Sequence, residues 1–145
     1  MRLLYLTRAD VEAVGLPMAE VISAVEVGFR LKGQGLTQMP PKTAVQPRGE
    51  GTFLHAMPTY VGGSVDCAAL KWVGGAEGNR ARGLPTITGL IVLNDPETMA
   101  PVCVMDATWV TAMRTAAANA VAMKYLGPSE AEEVAVLGCG VQGRS

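Results

Sequence analysis

Two cations stand where cations are costly. If Val65 to Val73 is a strand, Val65, Cys67, Ala69, Lys71 and Val73 share one face, which sets the Lys71 ammonium among apolar neighbours. In the alanine-rich helix expected after Asp106 or Thr108, Arg114 shares a face with Val110, Ala117, Ala118 and Val121. Neither has an acidic residue at helical or cross-strand spacing. Lys42, between Pro41 and Thr43 at the start of a strand, is a third candidate. Cations that converge without carboxylates of their own suit an external anion, either a substrate carboxylate or a cofactor phosphate. For any one of the three alone, a stem packed in the core with its head in water is the weightier explanation.

A second signal closes the chain. The apolar run Val134-Ala135-Val136-Leu137, read as a buried strand, leads into Gly138-Cys139-Gly140-Val141-Gln142-Gly143. In a dinucleotide-binding loop of this spacing, Gly138 would make the tight turn and Gly140 would admit a pyrophosphate close to the backbone. Gly143 would allow close helix–strand packing. A glycine-rich turn that merely ends a strand is the alternative. The following helix, the second strand and the acidic ribose ligand would lie beyond Ser145, and one parallel strand cannot bury both its faces alone. A working dinucleotide domain is therefore not expected within these residues, and the chain is expected to be a piece of a longer one or to find the rest elsewhere.

Other reactive residue types are sparse. His55, the only histidine, shares a face with Phe53 and Met57. On spacing alone, a hydrogen-bonded core histidine is the favoured reading and a catalytic one the alternative. No Cys, His and Asp cluster has metal-ligand spacing, and no serine sits in a nucleophile elbow. Cys67, Cys103 and Cys139, an odd number without CxxC spacing, read as reduced core residues of a cytosolic protein. The methionines read as core or loop filler.

The elements that must position these groups follow from periodicity and punctuation. Leu3 to Leu6 is a short strand, and Thr7 caps a helix with Asp10 as its box partner. Pro17 to Lys32 is an amphipathic helix through Met18, Val21, Ile22, Val25 and Phe29, stopped by Gly33 and Gly35. Met39-Pro40-Pro41 leads into a strand from Lys42 to Gln46. Strands are then expected at Thr52–Tyr60, Val65–Val73, Thr86–Asn94 and Val102–Met105. The breaks between them are Gly62-Gly63, Gly74-Gly75 and the turn Asn94-Asp95-Pro96-Glu97. Consecutive strands without helices between them predict a mixed, mostly antiparallel sheet. The second long helix ends at Gly127-Pro128.

Composition narrows the class. A net charge of −1 over 145 residues argues against a nucleic-acid backbone binder. No run approaches the roughly 20 apolar residues of a membrane span, and no signal peptide is legible, so a soluble intracellular protein is expected.

At these residues the sequence resembles the ornithine cyclodeaminase/mu-crystallin family. The resembling segments are Met39 to Thr43, His55 to Tyr60, Lys71-Trp72-Val73, Gly83 to Gly89, Leu93 to Thr98 and Met113 to Ala118, followed by the glycine fingerprint. They run in the family's order over nearly the whole chain.

The resemblance implies an α/β protein in two parts. Residues 1–128 would be an α+β substrate-binding and dimerisation domain with a mixed, mostly antiparallel sheet. Residues 129–145 would be the start of an NAD(P)-binding Rossmann domain. It implies an NAD- or NADP-dependent enzyme, a cyclodeaminase, amino acid dehydrogenase or ketimine reductase, acting on a small amino or imino acid as a cytoplasmic homodimer without nucleic acid or membrane partners. The alternative is a non-catalytic mu-crystallin-type binding protein or an inactive dimerisation fragment.

By resemblance, Lys71 and Arg114 hold the substrate carboxylate, and Lys71 is the candidate catalytic residue. Lys42 stands where the family commonly has arginine, which replaces a bidentate fork by a point charge. His55 occupies a position that carries a substrate-facing glutamate in ornithine cyclodeaminase. Thr86, Arg114, Thr115, Gly138, Gly140, Val141, Gln142 and Gly143 match cofactor-contacting positions. The family's catalytic aspartate has no counterpart in these residues.

Overall fold

The computed structural model describes residues 2–145; Met1, the first residue of the expected 1–128 domain, lies outside them. In chain order the elements are β1 (Leu4–Leu6), α1 (Arg8–Ala13), α2 (Met18–Gly33), β2 (Thr37–Gln38), β3 (Thr43–Val45), β4 (Thr52–Val61) and β5 (Cys67–Ala76). A 3₁₀ helix (Glu77–Arg82), β6 (Ile87–Asn94), β7 (Pro101–Asp106) and α3 (Thr108–Leu126) follow. The seven strands form one sheet in the order β1-β7-β6-β5-β4-β2, with β3 also on β4. Only the β1–β7 pairing is parallel. The mixed α/β class expected from the sequence is what the chain forms.

Local chemistry explains most boundaries. Thr7 caps α1 through a closed box: the Asp10 N–H donates to Thr7 Oγ1 at 3.3 Å and the Thr7 N–H to Asp10 Oδ2 at 2.8 Å. The Asp95 turn is held by its own carboxylate, which accepts from the N–H of Glu97 and Thr98. At the far end, Gly127 takes an extended conformation before Pro128 and its N–H closes on the Met123 carbonyl.

Strands β2 and β3 lie along the same edge of β4, pairing Thr37–Gln38 with Val61–Tyr60 and Thr43–Val45 with Ala56–Leu54. The gap between them falls where the chain carries Pro40 and Pro41 and where β4 carries Pro58. None of these has an N–H to offer the ladder, which accounts for the interruption. For the same reason β3 begins at Thr43, and Lys42 lies just before it rather than in the expected Lys42–Gln46 strand.

Several expectations are corrected. Gly74-Gly75 does not break a strand: β5 runs through both to Ala76. The Phe53 ring lies where a Cβ on Gly75 would stand, so this glycine admits an aromatic from the paired strand rather than a turn. The 3₁₀ helix from Glu77 was not foreseen. Ala107, not Asp106 or Thr108, is the N-cap of α3, but the Asp106 carboxylate still accepts from the Thr108 N–H at 2.7 Å. Pro17 caps α2 instead of entering its first turn, and Phe29 is exposed. Val134–Leu137 is not a strand but an exposed irregular segment, with no partner strand among the described residues. Of the cysteines only Cys103 is buried; Cys67 is half-buried and Cys139 exposed.

The three helices pack on one face of the sheet. The core between the layers holds Val73, Cys103, Ala107, Ala117 and Val121, with Val11, Val21 and Leu31 between helices and sheet margin. Alanine at 107 and 117 lets α3 approach the strands closely. Its N-terminus is fastened where the Ala107 N–H donates to the Gly89 carbonyl at 2.9 Å. Among the described residues the other face carries no helix. Trp72 and Leu90, cross-strand neighbours, are 43% and 40% exposed there, with Leu70, Val92 and Val104 in the next row.

Candidate functional site

Lys71 occupies a cross-strand row in which Met57 of β4 and Ile91 of β6 are its direct neighbours. Direct neighbours point to the same face, and this one is covered by α3. Its Nζ, half-buried, donates to Thr111 Oγ1 of α3 at 3.4 Å. Among the described residues this is its one hydrogen bond, and no carboxylate pairs with it. Burial, and then the nearby Arg114 charge, lower its pKa from 10.5 to about 8.

Arg114 lies one helical turn beyond Thr111 and close enough to repel the Lys71 ammonium. The helical stripe expected to hold it does carry buried Ala117 and Val121, but Arg114 itself is exposed. A long guanidinium side chain can leave a stripe whose short neighbours are covered. Thr115, on the next turn, donates its hydroxyl to the Thr111 carbonyl at 2.7 Å. Thr111, Arg114 and Thr115 therefore form one polar turn of α3 over the sheet.

His55 is one row along from Lys71 on the same face, since it pairs with Val73. It makes no hydrogen bond among the described residues. Its ring stacks on Phe53, with centroids 4.5 Å apart and planes 28° from parallel. The hydrogen-bonded core histidine is thus corrected to a half-buried, stacked one. Because Ala44 pairs with His55 and Thr43 with Ala56, continuing the register sets Lys42 beside Met57, in the Lys71 row. Two inter-strand spacings separate Lys42 from Lys71, roughly 10 Å. Lys42 itself is exposed.

Phe53 also walls a hollow of about 320 Å³ shared with Thr86, Gln46, Gly51, Thr52, Ala76, Glu77 and Ile87. One aromatic ring thus joins the His55 side of the sheet to the Thr86 side. A second hollow of about 390 Å³, lined by Leu54, Trp72, Leu90 and Asp106 among others, opens on the bare face and contains none of the expected site residues.

The glycine loop is not gathered into this cluster; it lies in the exposed segment after α3. Its backbone nevertheless has the shape the motif demands. Gly138 has φ +101°, and a Cβ on Gly143 would strike the Gly138 carbonyl, so a side chain is excluded at both. A Cβ on Gly140 would meet nothing, which leaves that side of the turn open to a ligand. The Val141 carbonyl accepts from the Ser145 hydroxyl and the Arg144 N–H, and Gln142 lies in the same turn. These residues fit the pyrophosphate of a dinucleotide.

The sequence missed two participants. Thr111 carries no signal by itself, although its helical offset of three from Arg114 was available. Phe53 was assigned to the His55 face, but its contact with Gly75 required the strand register.

The model of the ornithine cyclodeaminase/mu-crystallin family matches residues 2–145. A nodulation efficiency protein of Rhizobium meliloti is 49% identical over 139 residues, which is 96% of this chain and 43% of that protein. Among solved structures, an archaeal alanine dehydrogenase dimer with bound NAD superposes with a TM-score of 0.90 at 43% identity, covering 99% of this chain and 43% of that one. The Thermococcus litoralis Delta(1)-pyrroline-2-carboxylate reductase, in complex with NADH and L-proline, gives 0.89 at 38% identity, covering 97% and 43%. The chain thus spans less than half the length of these relatives. The family match runs over residues 2–145, and the chain belongs to the ornithine cyclodeaminase/mu-crystallin family.

Proposed function

We propose that the chain is the substrate-holding part of an NAD- or NADP-dependent enzyme acting on a small amino or imino acid. One observation carries this reading: Lys71 is half-buried, tethered by a hydroxyl, beside Arg114, and without a carboxylate of its own. A buried cation left unneutralised is costly, and a carboxylate ligand removes the cost. Arg114 and Lys71 would grip the substrate carboxylate, with Lys42 and His55 along the same face toward the side-chain end. Gripping the carboxylate at two points orients the α-carbon, which is catalysis by positioning. With a pKa of about 8, Lys71 Nζ can also hold or release a proton near neutral pH.

Gly138, Gly140, Val141, Gln142 and Gly143 would hold the cofactor's pyrophosphate, and Thr86, Arg114 and Thr115 its nicotinamide end. When bound, the cofactor accepts or supplies the hydride. Residues 1–128 would then be the substrate-binding and dimerisation domain and 129–145 the opening of the cofactor-binding domain. A homodimer is proposed through the uncovered apolar sheet face around Trp72 and Leu90, and a related alanine dehydrogenase is a dimer. A cytoplasmic location is supported by three free cysteines.

The test is a turnover screen of the whole gene product with NAD(H) and NADP(H) against alanine, proline, ornithine and cyclic ketimines. Turnover that Lys71→Ala abolishes is expected. Cofactor and carboxylate binding without any turnover would replace the enzyme reading by a binding role.

A further inference from the structure

Among the described residues Lys71 has one side-chain hydrogen-bond partner, and it is uncharged. Thr111 Oγ1 lies 3.4 Å from Nζ and is set by a rigid piece of backbone. The Thr111 N–H donates to the Ala107 carbonyl at 2.8 Å, and the Thr111 carbonyl takes the Thr115 hydroxyl at 2.7 Å. The other groups facing Lys71 cannot do this work. Met57 and Ile91 flank it on the neighbouring strands and do not ionise, His55 is a row away on β4, and Arg114 repels it.

A hydroxyl does for this lysine what a carboxylate could not. It accepts from the ammonium and can donate to the neutral amine, so the tether survives loss of the proton. A carboxylate in its place would tie the ammonium as an ion pair and compete with any incoming carboxylate.

We propose that Thr111 is a positioning residue: its hydroxyl holds Lys71 Nζ next to Arg114, so that the two cations present themselves to one substrate carboxylate. This rests on the substrate-holding reading of Lys71 given above. Lys71 and Arg114 repel each other, and without the tether the flexible lysine stem would swing its head away.

The experiment pairs Thr111→Val, which keeps the branched shape and deletes the hydroxyl, with Thr111→Ser, which keeps the hydroxyl. The Lys71 side chain is followed by ¹³Cε NMR titration of the full chain, assigned with Lys71→Arg. In Thr111→Val the Lys71 midpoint falls by somewhat under one pH unit, because the hydroxyl binds the ammonium more strongly than the neutral amine. Thr111→Ser stays at the wild-type value. In the wild type a cross-relaxation peak joins the Lys71 ε-protons to the Thr111 methyl, a check independent of how well the variants fold.

An unchanged midpoint in Thr111→Val, a Thr111→Ser variant that behaves like it, or a missing wild-type peak overturns the assignment of Thr111. In the whole gene product Thr111→Val raises KM for the carboxylate substrate roughly tenfold with a smaller change in kcat, and serine restores it. No turnover at all, with the NMR tether intact, instead sinks the substrate-holding reading on which the proposal stands.

Discussion

At the scale of the residue, Lys71 carries the cost of a half-buried ammonium. Its folded-state pKa of about 8 lies below the ordinary 10.5, so between those values the unfolded chain binds more protons than the folded one. The cost of burying the ammonium is fully present below pH 8 and is relieved as pH rises through that window. Urea unfolding should therefore show the chain gaining stability between pH 7.5 and 9.5, once the general effect of alkali is subtracted with Lys71→Met. That variant, isosteric and uncharged, should be more stable at pH 7 by about 1 kcal/mol and should bind no carboxylate. A variant less stable than wild type would mean that the tether to Thr111 outweighs the desolvation cost. Lys71 was legible in the sequence because strand alternation alone sets it among apolar residues. Its partner was not, because a hydroxyl 40 positions away leaves no trace in local periodicity.

At the scale of the element, two junctions hold the scaffold that presents the site. Strands β4 and β5 meet where the Phe53 ring covers Gly75. Gly75→Ala should cost about 1–3 kcal/mol in chemical denaturation, because the methyl enters space the ring already fills. The displaced ring should also lose its stack on His55, read as a change in the His55 ring-proton shifts. Helices α2 and α3 are clamped by Glu26, which accepts from Lys124 Nζ at 2.8 Å and from the Tyr125 hydroxyl. The Lys124 hydrogen bond, then that of Tyr125, lowers the Glu26 pKa below its ordinary 4.5. The sign follows: this stabilisation is complete above pH 4.5 and is lost as pH falls through the lowered value. Glu26→Gln should lower the thermal midpoint by a few degrees at pH 7, and the difference from wild type should shrink by pH 3. A difference that persists at pH 3 would argue for packing rather than charge. Caps and turns at Thr7, Asp95 and Gly127-Pro128 were readable because each is a local hydrogen-bond problem with few solutions. The Gly74-Gly75 break was misread because the same residue type serves a turn and an aromatic contact, and only the partner strand distinguishes them.

At the scale of the whole molecule, residues 2–145 form a sheet with helices on one side only. The opposite face presents Trp72 and Leu90 in adjacent strands of one row and Leu70, Val92 and Val104 in the next. A contiguous apolar surface of this kind is what associates. Light scattering should find a dimer, and Trp72→Glu with Leu90→Lys should weaken it by roughly a hundredfold while leaving the circular dichroism spectrum unchanged. A monomeric wild type would remove the dimer from the proposal. The glycine loop belongs to the same scale. Its conformation is set locally by Gly138 and Gly143, but the strand and helix that would frame it need neighbours that residues 2–145 do not supply.

What the sequence by itself determined were the features set by neighbours along the chain. Strand alternation marked Lys71, helical spacing placed Arg114 on the Ala117 stripe, and capping and stop signals placed the start of α1 and the end of α3. The order of short motifs identified the family. Tertiary structure alone decided which face of the sheet the helices cover, and hence that Lys71 meets Thr111. It also decided that Arg114 reaches solvent while Ala117 is buried. The physical reason is the same in each case. Propensity and periodicity act over a few residues, whereas burial and hydrogen-bond partners depend on which distant segments fill the remaining space.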